Sequence, residues 1–237
     1  MSDVAVAPGS LAVAAAAPPR HGSGAGVRHD FQYRDPAYQS ETAIAGMWLF
    51  LATEVLFFGG LILSWIYMRH GSRAGFDAGA RRTELVIGTT NTAILITSSF
   101  AYALGVIFIR AGDTRRVAKC LAAALALGLA FLALKFGLEW RDDFAHHLFP
   151  SDPSFPMRGS AEAGARLFYV FYFIGTGLHG LHMLVGIALV CWIIARVRRG
   201  DFSRDYHTPV IAVGLYWSFV DIVWLTLYPL IYLVGRG

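Results

Sequence analysis

The sequence predicts an all-α polytopic membrane bundle of five transmembrane helices behind a disordered N-terminal tail. Three observations carry that expectation. Hydrophobic residues make up 56% of the chain and charged residues only 15%, against a globular norm of about 25% charged, so the chain cannot cover a water-facing surface. The apolar residues gather in runs of about 20 or more rather than at a 3.6-residue period. The basic residues are arginines scattered across the short segments between those runs, where topology signals sit.

Ala, Pro and Gly dominate from Val4 to Gly26. That composition has almost nothing to bury, and residues 1–40 read as a disordered tail ahead of a membrane domain over 41–237. Leu11 to Ala17 is apolar, but no basic region precedes it and no convincing cleavage site follows, so the tail is expected to stay attached. Five runs come next: Ala43 to Met68, Leu85 to Ile109, Val117 to Leu138, Arg166 to Ala195 and Val210 to Val234. Each spans a hydrocarbon core of about 30 Å at about 1.5 Å per residue. The fourth is long enough to need tilt or to project beyond the bilayer.

With five spans the tail and the loops after the second and fourth spans share one side. They carry Arg20, Arg28, Arg34, Arg110, Arg115, Arg116, Arg196, Arg198, Arg199 and Arg204, while the other side has Arg69, Arg73, Arg81, Arg82, Arg141, Arg158 and Arg236. The excess places the N-terminus in the cytoplasm and the C-terminus in the periplasm of a bacterial inner membrane. Lys119 and Lys135 are the only lysines behind the net charge of +4, so no polybasic stretch is expected to bind nucleic acid or anionic lipid on its own. Cys120 and Cys191 lie inside apolar runs without CxxC or Cys/His spacing and read as small packing residues. No convincing repeat relates the two halves, which argues against a transporter built on inverted repeats.

Ionisable groups are costly in hydrocarbon, so those near mid-membrane are the candidates for function. Glu54, His179, His182 and Asp221 stand out. Glu54 and Asp221 both lie about 16 Å deep by helical rise, with His182 slightly deeper and His179 one turn beyond, so the four are expected to form one layer. For Glu54, among Leu51, Phe57 and Phe58, a proton-handling or interface carboxylate and a neutral acid bonded to a neighbouring helix stand as equal readings. His179 and His182 share a helical face with Gly175 and Gly186. They could ligate metal or haem, but a site needs further ligands and no other histidine lies within a span. A buried, hydrogen-bonded pair at a tight crossing is favoured, with Thr176 and Gly180 supplying small-residue spacing.

Trp217, Asp221, Trp224 and Tyr228 form one stripe of the fifth span, where Asp221 is expected to bond a neighbouring helix because a carboxylate facing lipid would go unsatisfied. Pro229 removes a backbone donor and is expected to bend the end of that helix. Asn91, Ser98 and Tyr102 share a face of the second span and are expected to tie helices together. Lys135 and Glu139, four residues apart near the end of the third, are expected to satisfy each other or to reach the headgroups.

The phrases TEVLFF, TGLHGLHMLVG and YWSFVDIVWLTLYPLIY, each inside its own span, together with Asn91 and Leu138-Glu139-Trp140, resemble subunit III of the haem-copper oxidases from about Glu41 to the C-terminus. The resemblance implies an accessory helical bundle docked on a catalytic subunit, with lipid held in a cleft between helices and an influence on proton uptake and complex stability. It matches Glu54 to the family's buried carboxylate, His179 and His182 to its histidine pair, and Asp221 to its last-helix acid. Two departures accompany it. The chain resembles a five-helix form lacking the first two helices of larger members, and Ser218 stands where the last motif commonly has histidine.

The residues agree that this is not a catalytic subunit, since a haem-copper centre needs histidines on several helices and only one span here contains any. The chain is therefore expected to bind no cofactor except phospholipid, with haem and copper in partner subunits of a cytochrome c or quinol oxidase and no active site of its own. Other readings are an accessory subunit of nitric oxide reductase, a proton-coupled transporter, or a small membrane cytochrome with haem on the histidine pair.

Overall fold

The computed structural model describes residues 36–203 and 206–236. The expected tail lies outside the described residues up to position 35, as do Arg20, Arg28, Arg34 and Arg204. Among the described residues every regular element is helical: α1 Pro36–Gly71, α2 Arg73–Arg82, α3 Leu85–Ala111, α4 Thr114–Leu134, α5 Trp140–Ala145, α6 Glu162–Arg198 and α7 Thr208–Tyr228. Five stretches are long and apolar enough to cross a bilayer, Ser40–Gly71, Leu85–Ala111, Thr114–Ala145, Gly159–Arg198 and Thr208–Leu233. They coincide with the five expected runs.

Two ends of the bundle differ in construction. At the short-turn end, α3 stops at Gly112, whose φ of +81° costs a glycine little. Asp113 then caps α4 by accepting a hydrogen bond from the Arg116 amide at 3.0 Å. Two residues thus reverse the chain, and α3 packs along α4 over most of its length. At the long-loop end the chain between α1 and α3 forms the amphipathic helix α2. Its Phe76 is fully buried, edge-on to Trp65 and Phe168.

Helix α7 occupies the centre, touching α1, α3 and α6, and 56% of its apolar window is buried against 17% for α1. Leu49, Leu56 and Tyr67 of α1 accordingly face outward. A π-helical turn at Lys135–Glu139 joins α4 to α5, and a second at Pro229–Leu233 continues α7. Pro229 lacks the amide that would sustain the α-helical ladder, and the wider turn begins at that residue. The C-terminus folds back onto α2: Arg236 donates to the carbonyls of Ala80 (3.0 Å) and Thr83, and Arg81 donates to the Gly235 carbonyl at 2.6 Å. These contacts tie the C-terminal segment to the end of α2.

Helix α2 can lie on α6 because Gly75 and Gly164 meet backbone to backbone; a Cβ on either would strike the other's Cα. This backbone-to-backbone crossing is not the one expected at Thr176 and Gly180. Gly180 instead makes room for the Phe136 ring. Gly164→Val should therefore destabilise the folded chain by about 1–3 kcal/mol through overpacking. Thermal unfolding in mild detergent checks this, and an unchanged midpoint would mean that α2 can lift off without loss.

Candidate functional site

The long sequence-separated contacts of the bundle sort its polar side chains into three groups. The first is an α3–α7 seam. Antiparallel packing puts the aromatic stripe of α7 against the hydroxyl face of α3. Trp217 Nε1 donates to Ser98 Oγ at 3.1 Å, Trp224 Nε1 donates to Thr92 Oγ1 at 3.0 Å, and Tyr228 and Thr89 share a hydrogen bond of 2.8 Å. Asp221 accepts a short hydrogen bond from Ser99 on the same seam. Ser98 passes its own proton to the Ala124 carbonyl at 3.0 Å, linking α4 as well, and the Tyr102 hydroxyl donates to the Val210 carbonyl at 3.0 Å. Asn91 is fully buried on this face, yet its amide atoms have no hydrogen-bond partner among the described residues.

The second group joins α1 to α6. Glu54 Oε2 lies 3.1 Å from His182 Nε2, while His182 Nδ1 lies 2.8 Å from the Leu178 carbonyl. A carbonyl oxygen can only accept, so Nδ1 carries a hydrogen. The contact to Glu54 then needs one further proton, held either as neutral acid with neutral imidazole or as carboxylate with imidazolium. The pair is a carboxyl–imidazole contact that bridges α1 and α6. It is not sealed: the two side chains are 19% and 16% exposed. Phe58 packs edge-on to the imidazole at 5.1 Å, and Tyr216 of α7 donates to the His182 carbonyl at 3.0 Å.

The four side chains counted to a similar depth do not converge on one site. Glu54 faces α6, Asp221 faces α3, and His179 is turned inward, fully buried between Phe131 (5.3 Å) and Trp224 (5.0 Å) with no hydrogen-bond partner for either ring nitrogen among the described residues. The two histidines therefore do not form the hydrogen-bonded pair expected from their spacing. Three residues rotate a side chain by about 300°, enough to send His182 to α1 and His179 toward α4 and α7. Among the described residues no three His, Cys, Asp or Glu side chains converge as metal ligands.

The third group was only half visible in the sequence. Lys135 and Glu139 do not reach headgroups; they are 0% and 1% exposed and pair at 2.9 Å. The Lys135 ammonium spends its other two hydrogens on Tyr172 (3.1 Å) and Tyr232 (2.7 Å), so all three N–H donors are used. Tyr232 donates to Glu139 at 2.6 Å, and Tyr172 donates to Asp143 at 2.6 Å. The Tyr172 ring also lies beneath the ammonium at 4.4 Å, a cation–π contact. The network binds α4, α5, α6 and the π-helical end of α7 together. Asp143, Tyr172 and Tyr232 were missed. Lys135, Glu139 and Asp143 recur every four residues, and that stripe is the signal that could have found Asp143; the tyrosines come from distant segments.

Residues 36–236 match the family model described as cytochrome c oxidase subunit III. Cytochrome c oxidase subunit 3 of Thermostichus vulcanus is 31% identical, the match covering 90% of this chain and 96% of the relative. Quinol oxidase subunit 3 of Bacillus spizizenii is 26% identical over 84% of this chain and 92% of its own length. The haem-copper oxidase subunit I+III of Aeropyrum pernix is 26% identical over 80% of this chain and 22% of that protein.

A buried ammonium without its carboxylate is far costlier than the intact pair is stabilising. Glu139→Leu should thus destabilise the chain by about 3–5 kcal/mol, while Lys135→Met combined with Glu139→Leu should recover a large part of that loss. Denaturant titration followed by tryptophan fluorescence reads both; equal losses in the single and double variants would deny the coupling.

Proposed function

Because the chain belongs to the cytochrome c oxidase subunit III family, we propose that it serves as the non-redox accessory subunit of a haem-copper terminal oxidase, docked on the catalytic subunit and supporting its stability, lipid contacts and proton uptake. The observation that carries this reading is how the polar side chains are used: the seam, the carboxyl–imidazole pair and the Lys135 network each join helices of this bundle. Haem and copper are assigned to the partner subunits, since among the described residues no three His, Cys, Asp or Glu side chains converge and His182 pairs with Glu54. A relative named as subunit I+III supports a catalytic subunit as the neighbour. Relatives named for cytochrome c and for quinol leave both classes of donor available to the complex.

Glu54 and His182 are the residues through which the bundle influences protons. Their unit is partly exposed where α1 meets α6, unlike the sealed Lys135 network. The favoured role is a helix bridge with a secondary effect on turnover. Orientation follows the arginine excess: N-terminus in the cytoplasm and C-terminus in the periplasm of a bacterial inner membrane. A C-terminal alkaline phosphatase fusion tests that placement; it should be active, and an inactive, membrane-inserted fusion reverses the topology.

The complex distinguishes bridge from proton carrier. Glu54→Gln can still donate to His182 Nε2 and should keep this subunit in the purified oxidase with near-normal oxygen consumption. Glu54→Ala strands the imidazole, at about 1–3 kcal/mol, and should lose the subunit more readily on washing. Full retention with equally reduced turnover in both variants would make Glu54 a proton carrier instead. Metal analysis of the isolated chain provides a separate check, with no stoichiometric haem, copper or zinc expected.

A further inference from the structure

At the short-turn end, α4 and α6 diverge around an open groove. Its mouth, about 390 Å³, is lined by Arg115, Lys119 and Arg198. An adjoining recess of about 250 Å³ runs deeper along Leu125, Cys191 and Ile194. Ala122 and Arg198 border both, so the two form one channel on the surface. The sequence builds it from matched stripes: positions 115, 118, 119, 122 and 125 share a face of α4, and positions 191, 194, 195 and 198 share a face of α6. Alanines at 118, 122 and 195 leave the space that larger side chains would fill.

The charge in this groove is one-sided. Among the described residues no carboxylate lines it, and Asp113 and Asp201 of the adjacent turns are already engaged, with Arg116 at 3.1 Å and with Arg196 at 3.0 Å. Among the described residues Arg115, Lys119 and Arg198 have no acidic partner. From Arg115 to Leu125 the groove extends about 15 Å along the helix axis, half of a hydrocarbon core of about 30 Å and hence one leaflet. A ligand that fits has an anionic head at the membrane surface and an apolar chain of leaflet length.

We propose that this α4–α6 groove binds one anionic phospholipid, with its phosphate on Arg115, Lys119 and Arg198 and one acyl chain along Ala122, Leu125 and Ile194. The inference rests on the lipid-contacting role proposed above and gives one such contact an address and a headgroup class. Three converging cations favour an anionic headgroup over a zwitterionic one. A free phosphate would leave the apolar recess unused.

The test uses the full chain reconstituted in phosphatidylcholine vesicles doped with phosphatidylglycerol that carries a photoreactive group midway along one acyl chain, with cross-linked peptides mapped by mass spectrometry. Labelling should concentrate on the α4 and α6 peptides holding Leu125 and Ile194. It should fall on the order of tenfold when Arg115, Lys119 and Arg198 are all changed to Gln, while labelling of the outward face of α1 persists as evidence of insertion. Ala122→Trp should block the recess with the cations intact. Equal labelling by photoreactive phosphatidylcholine, or no change in the triple variant, would reduce the groove to ordinary bilayer contact. Competition by inorganic phosphate would make it a phosphate site, and protection in the assembled complex through cross-links to another subunit would make it a protein interface. Any of these outcomes overturns the proposal, and labelling spread evenly over other helices would leave general lipid contact standing while this site falls.

Discussion

The Lys135 ammonium is the charge around which the long-loop end of the bundle is assembled. A lysine with no exposed surface is tolerable in a low-dielectric interior only when each N–H is met and the charge is balanced. Lys135 meets both conditions through Glu139, Tyr172 and Tyr232, which arrive from three segments. The requirement fixes the rotation of α6, the approach of the C-terminal turn and the local shape of α4. The π-helical turn covers Lys135–Glu139 itself, and Asp143 extends the same stripe into α5, where it accepts from Tyr172. Hydrophobicity alone would leave these rotations undetermined, because lipid is as apolar as the helix faces it would have to replace.

The rest of the core follows the same logic with neutral groups. The α3–α7 seam matches indole and phenol donors with hydroxyl acceptors at several levels, so that sliding one helix past the other by a turn would break all the pairs together. Each such bond contributes modestly, about 0.5–1.5 kcal/mol. Their value lies in register: they specify one alignment among several that apolar packing would accept. The Glu54–His182 pair performs that task for α1, the least buried helix, which otherwise holds to α6 and α7 by side-chain packing.

A division of labour emerges along the membrane normal. The long-loop end is tightened by the Lys135 network, the α2 cover and the Arg236 contacts. The short-turn end has a brief α3–α4 connection and an open groove lined by three cations that have no acidic partner among the described residues. In the accessory role proposed above, the networked end holds the helices together, and the open end is the site proposed for lipid. The partly exposed carboxyl–imidazole unit lies between the two, at the flank where α1 meets α6.

Much of the architecture was legible before any coordinates. Five spans and an all-α class follow from composition, because about 20 consecutive apolar residues cannot be stable outside a membrane helix. The residues worth watching were also legible, since Glu54, His179, His182 and Asp221 are costly wherever they face. Their partners were not. Depth along a helix can be counted, but the direction in which a side chain points across the bundle depends on how neighbouring helices rotate, and no local pattern encodes that. Depth placed Glu54 and Asp221 together; rotation sent one to His182 and the other to Ser99. Spacing joined His179 to His182; packing separated them. The Lys135–Glu139 pair was visible as an i, i+4 motif, whereas Tyr172 and Tyr232 lie 37 and 97 residues away from the lysine. The sequence by itself determined that the chain spans a membrane, how many times, and which polar groups must find partners there. Only the tertiary structure decided which partners they found, because that choice is made between helices.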